Sequence, residues 1–140
     1  MSKIESFTHK GQKLATEFIV SSEVFPGVVC DAYYHPETMK RDLGVIYIKA
    51  GKKTKPQRLL AGLETIEGYI SGKGKLIIVK PDGEKLQFEV GSESEGFSQS
   101  IEIGDIVQWR AEEDLVTFEI CFPPYEDGRF ENLEDTAIEL

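Results

Sequence analysis

From residue 43 to residue 124 the sequence is a succession of short runs rich in β-branched and aromatic residues, each ended by glycine or proline, at roughly ten-residue spacing. Runs this short cannot carry the longer 3.6-residue repeat of an amphipathic helix, so they predict strands. The clearest instance is residues 75–80 (KLIIVK) and 85–90 (KLQFEV) around Pro81-Asp82-Gly83-Glu84. Pro81 presets one backbone angle and Gly83 accepts the left-handed conformation, which is hairpin chemistry. In the second arm Leu86, Phe88 and Val90 alternate with Lys85, Gln87 and Glu89. That period of two gives one buried and one wet face.

Further strands are predicted at residues 18–20, 28–34, 43–49, 56–60, 65–71, 98–103, 106–110 and 115–122. Residues 36–42 (PETMKRD) predict the one helical turn before the tail, with Pro36 at its start. In the last long strand Val116, Phe118, Ile120 and Phe122 form an apolar row, whereas Leu115, Thr117, Glu119 and Cys121 are mixed. One row is therefore expected in the main packing layer and the other toward a semi-polar cavity. Thirteen glycines and six prolines in 140 residues reinforce a chain of many strands. No repeat or linker divides it, so residues 1–140 read as one domain, with a barrel over about 43–124 and an acidic tail over 125–140.

The net charge of −9 argues against nucleic acid or an anionic membrane as partner. The start, MSKIESFTHKGQ, has no signal-peptide core, and the longest aliphatic run, residues 76–79, is too short to span a bilayer. The expected location is the cytoplasm. Cys30 and Cys121 match no metal spacing and read as buried, reduced thiols.

The order of features from Gly51 to Pro124 resembles a cupin domain. Gly51 is followed by KKTKP, Gln57-Arg58-Leu59, Glu64 and the stretch GYISGKG at 68–74, and Gly104-Asp105-Ile106-Val107 resembles the start of the second cupin motif. The resemblance implies an all-β, cupin-like jelly-roll barrel (a double-stranded β-helix) that pairs through an outer sheet as a homodimer. It departs from the family at the metal site. The positions of the two motif histidines resemble Gln57 and Leu59, the third falls near Leu115, and Thr65 competes with Glu64 for the carboxylate position. An amide is a poor transition-metal ligand and leucine is none, so no metal and no cofactor are expected.

The chemistry candidates are few. Glu119 lies within an apolar strand and needs a partner or a wet pocket; it reads either as an acid/base group or as an outward-facing residue. His35, at a strand end, reads either as a general base or as a surface residue. Gln57, Glu64, Glu67 and Tyr69 are candidate cavity residues, with Tyr47 or Tyr69 as proton-transfer partners. Lys52, Lys53, Lys55 and Arg58 read as lysines protecting an edge strand or as an attractor for an anion. Trp109, Tyr47 and Phe118 read as core or interface anchors. Three functions remain open: a metal-independent pocket for a small polar, anionic or carbohydrate ligand, with acid/base chemistry of the kind found in metal-free cupin sugar epimerases and isomerases; a non-catalytic binding or interaction domain; and a variant metal enzyme using Glu64, Glu67, Glu119 and His35.

Overall fold

The computed structural model describes residues 3–9, 12–34 and 41–138. Among them the strands are β1 (Ser6–His9), β2 (Gln12–Ala15), β3 (Glu17–Phe25), β4 (Val28–Tyr34), β5 (Asp42–Ile48), β6 (Gln57–Leu59), β7 (Glu64–Ser71), β8 (Gly74–Val79), β9 (Lys85–Val90), β10 (Ser98–Ser100), β11 (Ile106–Ala111), β12 (Leu115–Phe122) and β13 (Phe130–Asn132). A 3₁₀ turn at Asp135–Ala137 is the only helical element among the described residues. The helical turn expected at 36–42 falls mostly outside them, and Asp42 belongs to β5.

Two antiparallel sheets make the barrel, in the orders β10-β7-β12-β5-β4-β3 and β13-β6-β11-β8-β9, and β1-β2 forms a separate hairpin. The β8–β9 hairpin pairs Val79 with Lys85. Its turn is closed by the Lys80 N–H on the Glu84 carbonyl at 2.8 Å and the Gly83 N–H on the Lys80 carbonyl at 2.9 Å. Gly83 holds φ at 93°, the conformation its lack of a Cβ permits. At the Gly104-Asp105 corner the buried Asp105 carboxylate accepts the Glu102 N–H at 2.8 Å and the Lys80 ammonium at 2.9 Å. The corner is a structural joint, with its charge compensated.

Apolar packing occurs in two layers. The inner one lies between the sheets and joins Val28, Ile48, Leu76, Ile78, Trp109 and Leu115. The outer one covers the far face of the six-stranded sheet with Phe7, Tyr33, Leu43, Val45, Phe118 and Ile120. The apolar row of β12 therefore belongs to the outer layer, under β1, and not to the packing between the sheets. The N-terminal hairpin that covers it carries too short an apolar pattern to announce itself. The mixed row faces the interior, as expected. Gly68 makes the outer packing possible: a Cβ there would lie 2.1 Å from the Phe118 ring.

Over its described residues, 125–138, the acidic tail packs on the barrel. β13 pairs with β6, and Ile138 is fully buried against Ile77, Val79 and Ile106. Arg129 anchors the segment. It is buried, and its guanidinium donates to the Pro123 carbonyl at 2.8 Å, the Glu64 carbonyl at 2.8 Å and Thr65 Oγ1 at 2.7 Å. Arg129→Leu leaves these acceptors without a donor, at a cost of at least about 2 kcal/mol. The expected result is a lower urea midpoint and faster proteolysis after residue 124. An unchanged midpoint would mean that the strand pairing alone holds the tail.

Candidate functional site

Strands β4, β5, β12 and β7 are neighbours, and their register sets Ala32, Gly44, Glu119 and Glu67 side by side in one row across the inner face. The row on one side is Cys30, Ile46, Thr117 and Tyr69; on the other it is Tyr34, Asp42, Cys121 and Thr65. Period two keeps all three rows on the same face. Gly44 leaves open space between Ala32 and Glu119, where a Cβ would come within 3.3 Å of Cys30 Sγ. A cavity of about 380 Å³ opens over this gap. Its lining includes Cys30, Asp42, Gln57, Glu119, Tyr125 and Phe130, with Val20, Ser22 and Val24 of β3 at the rim.

Glu119 is half-buried in the cavity wall, and its Oε1 accepts the Cys121 thiol at 3.3 Å. Glu67, one strand further in, is 3 % exposed. The Trp109 indole donates to its Oε1 at 2.8 Å, while Oε2 has no donor. Burial, and then the Glu119 charge beside it, push the Glu67 carboxyl well above the usual carboxylate range. The raised value favours the neutral acid, and a proton on Oε2 would give that orphaned oxygen a hydrogen bond to offer. Two carboxyl groups thus stand at the cavity, Glu119 in its wall and Glu67 behind it.

Neighbouring groups are pushed the same way. Asp42 is raised by burial, although the Tyr125 N–H at 2.8 Å opposes the shift, and the Glu119 charge adds to it. The Cys30 thiol is pushed up to about 12, first by burial and then by Glu119, so it is a neutral thiol at physiological pH. Cys121 is raised for the same reasons. Both cysteines are free; Cys121 is buried, whereas Cys30 is only half-buried in the cavity wall.

Of the residues singled out from sequence, Glu119 and Gln57 line the cavity. Gln57 also donates to Asn132 at 2.8 Å. The others are elsewhere. Glu64 is exposed and pairs with Arg41, because its parity in β7 is opposite to that of Glu67. Tyr69 faces inward but sits in the inner core, its hydroxyl donating to the Gly72 carbonyl at 2.9 Å. Tyr47 packs against the outer layer, across the sheet from the cavity. Arg58 points outward to Glu131 at 3.1 Å, and Lys53 reaches Asp135 at 3.1 Å, so the acidic tail neutralises part of the basic cluster. His35 lies outside the described residues. Thr65, not Glu64, faces inward, but it serves Arg129. Trp109 is a core anchor.

Sequence reading underrated Glu67 and missed Asp42, Gly44 and Tyr125 as parts of one site. The signal was period two in β7 and β12, but only the register shows that Glu67 and Glu119 are neighbours. Among the described residues no group of three or more His, Cys, Asp and Glu side chains is arranged to hold a metal ion. No described helix is long and apolar enough to cross a membrane.

Strand order, register and the interior site define a cupin-type jelly-roll barrel, and solved structures agree. The chain is similar to the capsular polysaccharide assembling protein CapF of Staphylococcus aureus, with a TM-score of 0.61 and 17% identity over 82% of this chain and 34% of that one. It is similar to the 7S globulin of Momordica charantia, with a TM-score of 0.61 and 14% identity over 84% of this chain and 35% of that one. Salicylate 1,2-dioxygenase of Pseudoaminobacter salicylatoxidans gives a TM-score of 0.55 and 18% identity over 72% of this chain and 26% of that one. The chain thus spans about a third or less of these proteins, and the likeness is one of fold. No family model and no curated protein sequence matches it.

The buried acid has a pH consequence. Between its ordinary value of 4.5 and its raised folded value, Glu67 holds a proton that the unfolded chain has released. Its contribution to stability is therefore full below about pH 4.5 and is lost as pH rises through the folded value. Glu67→Gln reproduces the neutral acid, accepting from Trp109 and donating to Glu119. Urea unfolding as a function of pH should show a shallower alkaline decline for this variant, with the slope from Asp42 remaining. Parallel curves would place the Glu67 proton elsewhere.

Proposed function

We propose that this cupin domain binds a small polar molecule in the inner cavity and that the Glu67–Glu119 pair moves a proton on it. The single observation behind this reading is the buried carboxyl beside a carboxyl that reaches the cavity wall. A pair holding one proton can take a second from a ligand C–H or O–H next to Glu119 and return it, with no net change of atoms or electrons. That is the requirement of an epimerisation or isomerisation. Glu119 meets the ligand; Glu67 sets how readily Glu119 takes and gives the proton, and Trp109 holds Glu67 in place. Asp42 and Gln57 supply polar contacts, and Tyr125 and Phe130 an aromatic wall.

Fold-level likeness selects no reaction, since the neighbours are named for polysaccharide assembly and for a dioxygenase. A non-catalytic binder is the second reading, favoured by one observation: the lining is mostly apolar, and Val20 and Val24 at the rim are themselves about half exposed. Edge strand β3, with Phe18, Ile19, Val20 and Val24 exposed, is the surface that supports pairing with a second copy. The two free thiols support a reducing compartment such as the cytoplasm.

A thermal-shift screen of sugars and small hydroxylated or amino compounds, followed by NMR of the bound compound in deuterated water, tests the function. Catalysis predicts exchange of one ligand proton for deuterium. Glu119→Gln should slow this by about 10² or more while the compound still binds. Binding to the wild type without exchange would establish the second reading.

A further inference from the structure

The cavity's charge is one-sided. Asp42 and Glu119 are in its wall, and Glu67 stands directly behind Glu119 in the same cross-strand row. The described lining contains no lysine or arginine. Of the cations that sequence offered for an anion, Arg58 and Lys53 pair with the tail; Arg129, a further cation, is turned toward Pro123, Glu64 and Thr65. The rest of the wall is apolar, with Val20, Val24, Val28, Ile46, Phe25 and Phe130.

The polar groups of the wall are largely committed. Thr54 Oγ1 accepts the Trp109 N–H at 3.0 Å, its carbonyl accepts Gln108 at 2.7 Å, and the Gln57 amide donates to Asn132. The buried Oε2 of Glu67 has no donor from the protein other than its own proton. The chain thus gathers carboxyl groups at an apolar pocket with no cation in its lining; Arg129, whose charge reaches Asp42, is engaged by Pro123, Glu64 and Thr65. An anionic ligand would be desolvated against two carboxyl groups; a neutral one would leave them uncompensated.

From this arrangement we propose that the ligand of this site is an organic cation, an ammonium group on an apolar or aromatic body, with the ammonium held between Asp42 and Glu119 and the body against Phe25, Tyr125 and Phe130. The aromatic rings add cation–π attraction for such a group. This deepens the small-molecule reading and rests on it for the location of the site, but not on the proton-transfer step. The ammonium charge competes with the shared proton. The titratable and charged groups facing it are Glu67 from β7, Glu119 and Cys121 from β12, Asp42 from β5, Cys30 from β4, and Tyr125 and Arg129 from the segment after β12.

Three probes of one shape isolate the charge: benzylamine, benzyl alcohol and benzoate, titrated into the full chain by calorimetry and NMR. Benzylamine should saturate with a Kd at least about tenfold below that of benzyl alcohol, a difference of about 1.4 kcal/mol, and benzoate should not saturate. Shifted resonances should map to β4, β5 and β12. Glu119→Gln should weaken benzylamine at least about tenfold. Glu112→Gln, on the surface, makes the same change in net charge and should leave the Kd unchanged. Calorimetry in two buffers of different ionisation enthalpy should show proton release on binding.

Benzoate binding as tightly as benzylamine would overturn the proposal, as would equal weakening by Glu112→Gln or failure of benzylamine to saturate. Carboxyl ¹³C titration of the ligand-free protein reports separately on the Glu67–Glu119 proton. If the pair titrates as two independent acids while benzylamine binds, the proton-transfer reading fails and the cation site stands.

Discussion

Everything distinctive about the interior depends on one carboxyl group buried where water does not reach. Glu67 sits among core residues because β7 alternates, and the same alternation that buries Tyr69 and Thr65 buries it. A carboxylate there would be expensive, and an indole N–H can satisfy only one of its oxygens. The remaining demand falls on Glu119, the neighbour that strand pairing provides. Burial favours the neutral form of Glu67, which would link the cavity wall to packing around Trp109.

That link accounts for the small residues nearby. The row that carries the two acids continues into Gly44 and Ala32, so the cavity lies beside the pair and not elsewhere in the barrel. Larger residues at those places would fill the space and strengthen the inner core. The barrel thus forgoes apolar packing on β4 and β5 at the place where its acids stand, the sort of local sacrifice that marks functional sites in otherwise consistent folds.

Much of the fold was legible in the sequence because short strands advertise themselves through alternation and turn residues. β4 and β12 have the predicted bounds, and the 75–90 hairpin closes on its expected turn. What failed was the assignment of depth. Phe118 and Ile120 looked like the main core, yet they need a second cover, and that cover is a hairpin too short and too polar to be read. The tail misled for a related reason: composition made it look solvated, whereas Arg129 and Ile138, one cation and one aliphatic residue among acids, tie it down. The site was legible only in part. Glu119 and Gln57 could be picked by type and position. Glu64, Tyr47 and Arg58 lie away from the cavity because one step along a strand changes the face a side chain occupies, and a resemblance carried across a one-residue offset cannot settle parity.

The acidic tail also changes how the electrostatics should be understood. A chain of net charge −9 with four basic residues between positions 52 and 58 invites the idea that those cations recruit an anion. Folding returns the acids of β13 and the 3₁₀ turn to the same edge, where Glu131 and Asp135 meet Arg58 and Lys53. Exposed pairs such as these add little stability, but they change what the edge offers to a ligand. Inside, Asp42 and Glu119 have no cation in the cavity lining, and walls of low polarity strengthen their charge and weaken screening by salt. On the proposed reading, a barrel of this fold whose Arg58 and Lys53 pair with the tail and whose carboxyl groups face an apolar chamber selects its ligand by charge before shape. Its carboxyl groups come from neighbouring strands, β5, β12 and β7, whose register the fold already dictates.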